Sequence, residues 1–408
     1  MSQRREKHLT QKVNKQVCIA GGGPAGVLLG LLLAKQGVGV LVMERRETFK
    51  REFRGETIAA GSVAILDELG LLQSLKQNGF IKVKCIEMYE REKLLFRADF
   101  ESFKHKQKFG IDIPQPVVLQ SIIDEASQYP NFEIMMGTAC VELVEQNGEI
   151  VGVIGKQGNE LFEVRSELVV GADGRHSQLR KMADIKTKVK TFDRDLVWFK
   201  LPKPKNWSQS NMIKVHKNKH LIILPTFPDM LRVGTYIPRG GYRETRQQGI
   251  KEFRDMVTEI EPAFKELMEQ HITSWKDLTM LDIFTAFARQ WSRNGLILIG
   301  DAAHTLSPVL GQGVNIAMQD AVELSPFIVN HLQNNPGKTV PREALIPFEK
   351  KRKKTVKFVQ DFQERQEKIL AAKSQMETLV RRVKMRALHR LPWKMKVMSK
   401  LQHGIKYN

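Results

Sequence analysis

One stretch limits the possible folds more than any other. Val17–Ala20 is a short apolar run that leads straight into Gly21-Gly22-Gly23-Pro24-Ala25-Gly26, a G-x-G-x-x-G pattern. A helix-compatible segment over residues 25–36 follows. Gly37 ends it, and a second apolar run over residues 38–43 stops at Glu44. Strand, glycine turn, helix and strand in this register make a βαβ unit, which requires a parallel sheet with helices packed on it. Each glycine has its own task. Gly21 permits the tight turn, Gly23 lets backbone approach a pyrophosphate, and Gly26 lets helix and strand pack closely. Glu44 lies 18 residues past Gly26, where a carboxylate accepts hydrogen bonds from a ribose diol. An acid there favours a free 2′-hydroxyl, so FAD or NAD fits better than NADP.

Two further strand ends carry acids. Leu168, Val169 and Val170 run into Gly171-Ala172-Asp173-Gly174, with Ser177 placed to cap the next helix and Arg180 inside it. Residues 296–299 run into Gly300-Asp301-Ala302-Ala303-His304, then Pro308 and Gly311-Gln312-Gly313-Val314-Asn315. A helix-compatible stretch follows over residues 314–324. Open α/β sheets bind ligands at the carboxyl ends of their strands. Free N–H groups and the dipole at the opening of that last helix suit a ligand that becomes anionic. His304 has two readings, titration near the ligand or a hydrogen bond to local backbone. We take the second.

Between these motifs the pattern changes. Residues 83–113 alternate in patches, as antiparallel strands do, and Pro114-Gln115-Pro116 closes them. A helix over 118–128 and a meander through 132–136, 139–144, 150–154 and 161–164 follow. Residues 190–288 read as a second, sheet-based region: strands over 196–201, 221–224 and 231–237, an amphipathic helix over 253–270, and a returning strand over 280–287. Trp198, Phe199, Phe227 and Tyr236 are either pocket walls or plain packing. Arg54, just before a helix over 62–68, is either a solvated loop charge or a clamp on ligand phosphates. His216 and His220 have a metal-like spacing without a third ligand, so no metal site is expected.

The net charge of +20 is concentrated at the ends of the chain. Residues 378–408 hold nine Lys/Arg and no acid, and residues 1–16 hold five basics against one Glu. The rest is mildly basic. At 408 residues the chain has room for two domains. The longest strongly apolar run, 27–34, is too short to span a bilayer, and the polar start shows no secretory signal. Cys18, Cys85 and Cys140 are scattered and form no C-x-x-C pair, which fits buried thiols in a reducing, cytoplasmic setting. Near the C-terminus Val380, Val383, Ala387, Leu388, Leu391, Met395, Met398 and Leu401 recur at mostly three- and four-residue steps among basic residues, with a bend at Pro392 beside Trp393. Two readings stand. The stripe packs on the fold, or it docks on the anionic cytoplasmic face of a membrane, where each basic residue adds about 1 kcal/mol. No nucleic-acid module accompanies the charge.

The three glycine-and-acid motifs, in this order, resemble the single-component FAD-dependent aromatic hydroxylases, the p-hydroxybenzoate hydroxylase-like flavoprotein monooxygenases. The likeness covers roughly residues 15–345. It implies an α/β fold: a Rossmann-like FAD-binding domain (15–80, 114–185, 289–345) interrupted by a mostly antiparallel substrate domain (81–113, 186–288), with a helical basic extension (346–408). It implies that Gly21, Gly23 and Gly26 hold the FAD pyrophosphate, Glu44 the adenosine ribose, and Arg54 the pyrophosphate or ribityl chain. Gln115 is similar to a ribityl-contacting position, with Gln120 competing. Asp173 belongs to a motif implicated in both FAD and NAD(P)H binding, and Asp301 binds the ribityl hydroxyls. Pro308 sits by the flavin ring, and Gly311, Gly313, Val314 and Asn315 meet its pyrimidine end. The implied reaction hydroxylates an aromatic or quinol-type substrate with NAD(P)H and O2 through a flavin C4a-hydroperoxide; if the C-terminal stripe docks on a membrane, that substrate is expected to be lipophilic. The chemistry is FAD's, so no protein catalytic residue is implied. Prenyl reductases of the geranylgeranyl reductase type share the motifs and are the alternative. Flavin-dependent halogenases share the fold, but their W-x-W-x-I-P signature is absent, since all five Trp are isolated.

Overall fold

The computed structural model describes residues 11–49, 56–372 and 374–404. At its centre is a six-stranded sheet whose inner strands are continuous apolar sequence. Val17–Ala20 and Leu168–Gly171 are buried at every position, as is Val40–Glu44. Strands covered on both faces have no solvent side to carry polar residues. The order across the sheet is Ser292–Arg293, Leu296–Leu298, Leu168–Gly171, Val17–Ala20, Val40–Glu44 and Phe132–Met136. All neighbours are parallel except the first pair. Val17 has Val40 on one side and Leu168 on the other. The chain therefore leaves the Val17–Ala20 strand towards both edges, and this reversal opens a crevice above the carboxyl ends.

The helices used below are α1 (Pro24–Ala34), α2 (Ala60–Glu68), α3 (Gln115–Ala126), α4 (Gln178–Met182), α5 (Gln312–Asn334), α6 (Arg342–Leu370), α7 (Gln375–Arg390) and α8 (Lys394–His403). α1 is apolar all round and lies between α3 and α5 against the sheet. α6 runs along α5 and buries Leu345, Phe348, Val356 and Val359. α8 buries Met398 and Leu401 and sets His403 edge-on to Phe103, with ring centroids 5.2 Å apart. No described helix is long and apolar enough to cross a membrane.

A seven-stranded sheet stands over the crevice. Its order is Thr279–Leu281, Arg194–Pro202, Met230–Pro238, Lys219–Thr226, Asn211–His216, Cys85–Glu90 and Lys93–Asp99. Two distant stretches of chain thus share one sheet. Asn211–His216, absent from the sequence reading, joins them by running parallel to Cys85–Glu90. A separate core of Phe199, Phe253, Val257, Phe264 and Met268 lies against this sheet.

Three expectations need correction. Phe132–Met136 does not start the meander; it is the edge strand of the parallel sheet, paired with Val40–Glu44. Asn131 seats it there, donating from Nδ2 to the Ala34 and Val38 carbonyls at 3.0 and 2.7 Å. The meander proper is Thr138–Gln146, Glu149–Gln157 and Glu160–Arg165. The helix expected over 253–270 is two, Ile250–Ile260 and Lys265–His271, split at Pro262, which lacks an N–H to continue the ladder. The strand expected over 280–287 is also two. Thr279–Leu281 pairs with Arg194–Pro202, whereas Phe284–Ala288 pairs with Thr187–Thr191 and His304–Thr305 in another sheet.

Candidate active site

Three neighbouring strands end at one cavity of about 580 Å³. Val17–Ala20 delivers the glycine turn, Leu168–Gly171 delivers Asp173, and Leu296–Leu298 delivers Asp301. Gly21, Gly23, Glu44, Gln115, Asp173, Asp301, Pro308, Gly311, Gly313 and Val314 all line it. Gln120 does not; it is exposed and bonded to Asp124 on the next turn of α3, at 2.7 Å. Arg54 lies outside the described residues.

The glycines divide by what a side chain would meet. A Cβ on Gly26 would lie 1.9 Å from the Gly21 carbonyl oxygen, and one on Gly21 (φ +113°) 2.3 Å from the Ala172 oxygen. These two serve the packing of the chain. A Cβ on Gly23 or Gly313 would meet no protein atom within 4 Å. Space is kept at those points for something other than protein.

The acids are held for use. Glu44 is buried at the carboxyl end of its strand, where Oε2 accepts from the Gly22 N–H (2.8 Å) and Oε1 from the Arg46 N–H (3.0 Å). Asp173 Oδ2 caps α4, accepting from the N–H groups of Gln178 and Leu179, while Ser177 Oγ accepts from Arg180 as the sequence suggests. Asp173 Oδ1 is buried and has no partner among the described residues. A buried acceptor left open beside a cavity calls for a donor from a ligand. Arg180, its pKa lowered by burial, ties the Asp173 loop to the Asp301 loop by donating to the Ala302 carbonyl at 2.7 Å. Arg175 pairs with Asp301 at 3.4 Å.

The turn from Pro308 to α5 is forced. Leu310 and Gly311 are both left-handed (φ 62° and 58°), a conformation costly for leucine. α6 holds it from behind. Gln363 Nε2 donates to the carbonyls of Ser307 (2.9 Å) and Val309 (2.7 Å), and Ser307 Oγ donates to Glu367 Oε1 (2.6 Å). The result aims the N-terminus of a 23-residue helix into the cavity. Asn315, expected at the ligand, does not line the cavity. Its Oδ1 accepts from the Ala59 N–H (2.8 Å) and its Nδ2 donates to the Gly311 carbonyl (2.9 Å), clasping α5 to the segment before α2.

His304 also departs from expectation. Its partner is a side chain, not local backbone. Nε2 lies 2.6 Å from Asp320 Oδ2, the oxygen that also accepts from the Gly300 N–H (2.9 Å), and Arg352 Nε donates to Oδ1 (2.6 Å). Burial opposes charge on Asp320, yet His304, Arg352 and the Gly300 N–H overcome it and hold the carboxyl at about 2. This clasp fixes the Gly300-Asp301 turn from beneath.

Beyond Gly311 the cavity continues to Glu56, Thr57, Trp198 and Arg232. Of the four aromatic candidates only Trp198 lines it. Phe199 is in the second core, Tyr236 is half-buried under Arg194, and Phe227 is at the surface. Arg232 lies over the Trp198 ring at 4.6 Å and 3.6 Å from Glu56, and its buried Nε has no partner among the described residues. Glu56 accepts from Thr226 Oγ1 (3.1 Å). Behind them Asp112 is fully buried, with no hydrogen bond of ordinary geometry to either oxygen among the described residues, although the Thr57 hydroxyl lies near enough to favour its charged form. Burial lifts its carboxyl to about 7; Thr57 and Arg232 pull it back, and Glu56 adds to the rise. Sequence reasoning missed Glu56, Arg232 and Asp112. For Arg232 alone a signal was available, a charge inside the strand Met230–Pro238 with apolar Leu231 and Val233 on either side.

A glycine cradle open to the cavity, acids at three adjacent strand ends and a helix N-terminus opposite them define a dinucleotide-binding oxidoreductase whose groups fit FAD. The chain belongs to the family described as FAD binding domain, whose model matches residues 14–382, and within it to the FAD-dependent aromatic hydroxylases. It is 33% identical to a 6-methylpretetramide 4-monooxygenase of Streptomyces rimosus over 320 residues, 78% of this chain and 76% of that one. It is 24% identical to the 3-demethoxyubiquinol 3-hydroxylase of Escherichia coli K12, over 77% of this chain and 80% of that one. In fold it is similar to p-nitrophenol 4-monooxygenase PnpA of Pseudomonas putida DLL-E4, with a TM-score of 0.81, 17% identity, and coverage of 97% of this chain and 100% of that chain. The protein is an FAD-dependent monooxygenase.

Proposed function

We propose that the enzyme uses NAD(P)H and O2 to hydroxylate an aromatic or quinol-type, lipophilic substrate. One observation carries this reading: the cavity does not end where the dinucleotide motifs end. Past Pro308 and Gly311 it reaches an apolar and charged chamber under the seven-stranded sheet, walled by Trp198 and Leu281 and furnished with Glu56 and Arg232. An aromatic ring enters between Trp198 and Leu281 while its polar substituent meets the guanidinium or carboxylate. The ring types in the names of the two curated relatives support the same class.

In this reading the Gly21–Gly23 turn holds the pyrophosphate, Glu44 the ribose, and Gln115 and Asp301 the ribityl chain. Bound FAD supplies the electron transfer and oxygen activation. The N-terminus of α5 stabilises negative charge on the pyrimidine end of the ring, an electrostatic arrangement present before reaction. The proposed division is 15–80, 114–185 and 289–345 for FAD, with 81–113 and 186–288 for the substrate. We also place the protein in the cytoplasm, working at the face of a membrane that its basic C-terminal helices reach.

Anaerobic mixing of the purified flavoprotein with NADH and with NADPH, with and without phenols and quinols, tests the enzymatic reading. Flavin absorbance should bleach with one nucleotide. Air should then restore it, with oxygen consumed in step with hydroxylated product. Bleaching in no combination would refute direct use of a nicotinamide, and reoxidation without hydroxylation of any ring would refute the substrate class.

A further inference from the structure

α7 is inverted relative to a helix held to a protein by its apolar side. Its inward side is polar. Arg381 is 2% exposed and donates from Nη2 to the Lys217 carbonyl (2.7 Å). Arg382 Nε pairs with Glu90 Oε2 (2.5 Å), and His389 Nδ1 accepts from the Arg97 N–H (3.2 Å). Met385 is the only apolar residue of α7 that is fully buried. The apolar residues face out instead. Met376 is 69% exposed and Val383 59%; Leu379, Val380 and, just past the helix, Leu391 and Trp393 are exposed as well. At 100° per residue, positions 376, 380, 383 and 387 fall along one line with 379 beside it. α8, with a similar spacing of apolar residues, does the opposite and turns Met398 and Leu401 into the core. The two readings of the C-terminal stripe are therefore divided between two helices.

Charge borders the outward stripe. Lys384, Arg386, Arg390 and Lys396 are exposed around it. The one acid in α7 and α8 is Glu377, engaged in a capping box with Ser374 at the start of the helix. Water-facing proteins rarely leave an apolar row of this kind uncovered. A second copy of the chain would bring the same cations against one another, whereas an anionic bilayer supplies opposite charge across a plane and an apolar layer beneath it.

We propose that this face of α7 docks on a bilayer of anionic lipid, with Met376, Leu379, Val383 and Trp393 entering the acyl boundary and Lys384, Arg386 and Arg390 meeting lipid phosphates. It rests on the peripheral location proposed above and assigns that location to one helix face. It also gives a lipophilic substrate a place to be met.

The test uses the full-length flavoprotein and vesicles of phosphatidylglycerol with phosphatidylcholine, or phosphatidylcholine alone. Trp393 is the reporter. It is 54% exposed, while Trp198 and Trp291 are buried and Trp207 and Trp275 half-buried. The protein should sediment with the anionic vesicles only. Its emission should shift to the blue and be quenched by acyl-brominated lipid, and Trp393→Phe should abolish the quenching. Leu379→Asp with Val383→Asp, both at exposed positions, should lower vesicle affinity by about tenfold or more with flavin content unchanged. Unchanged affinity in that variant, or no binding to anionic vesicles by the native protein, overturns the proposal. Dimerisation abolished by the same substitutions would give the face to a second copy and overturn it too. Flavin bleaching by NAD(P)H in the same preparations keeps the questions apart, since absence of docking by the native protein with intact bleaching refutes the surface alone.

Discussion

Asp112 shows how burial sets the behaviour of a single side chain. Its folded carboxyl is lifted from 3.8 to about 7, so the native state keeps a proton that the unfolded chain releases above about pH 4. The stability this proton gives is fully present below that pH, declines as pH rises, and is gone once the folded group ionises above about 7. Asp112→Asn keeps the shape and removes the titration. Between pH 5 and pH 8 the variant should lose about 3 kcal/mol less stability than the native protein, read from urea midpoints at the two values. Parallel losses would show that Asp112 does not titrate there. Nothing in the sequence marks Asp112, because what isolates it is the pairing of Gly110–Asp112 with Thr57–Ile58 and the approach of Arg232 from another sheet. Glu44, Asp173 and Asp301 were legible because each ends a strand whose apolar run and glycines are contiguous in sequence. Glu56 and Arg232 meet only after two distant stretches fold together.

At the scale of elements, the opening of α1 separates two kinds of glycine that one motif lumps together. Gly23 has an ordinary φ of −77°, and a methyl there would touch no protein atom. Gly26 has no such room, since its Cβ would be driven into the Gly21 carbonyl. Gly23→Ala should therefore leave the melting temperature of the flavin-free protein within about a degree while flavin content falls sharply. Gly26→Ala should lower that melting temperature as well, by several degrees for a cost of about 1–3 kcal/mol. Equal melting of the two flavin-free variants would remove the distinction between ligand space and packing space. Elements in the βαβ units could be read from pattern because helix, turn and strand are all local. Where tertiary pairing decided, pattern failed. Phe132–Met136 is a short apolar run that suits either a meander or a parallel edge, and Asn131 with Val40–Glu44 makes the choice. The split of 253–270 was legible in Pro262, whose effect on the helix ladder outweighs the amphipathic period around it.

Across the whole molecule, the C-terminal helices divide into those that pack on the core and α7, whose apolar residues are left exposed. Residues past 345 resemble an appendage in sequence, because their basic character hides the few side chains that matter. Of the five cations at 350–354 only Arg352 is buried; it completes the clasp under Gly300, while Gln363 and Glu367 brace the Ser307–Val309 turn. α8 contributes differently, adding Met398 and Leu401 to the main core and passing His403 Nε2 to the Gln107 carbonyl at 2.8 Å. Truncation should reveal this order. A chain ending at Ala372 keeps the α6 clasp and brace and should still copurify with flavin. It should melt lower, since Met385, Met398 and Leu401 leave the core at about 1.5–3 kcal/mol each, and it should no longer bind anionic vesicles. A chain ending at Leu345 leaves Asp320 buried with one cationic partner removed, at a cost of about 3–5 kcal/mol, and frees the strained Leu310–Gly311 turn. It should hold no flavin even where it remains folded. Normal flavin content in that shorter chain would mean that the motifs at the strand ends suffice, and that α6 only covers them.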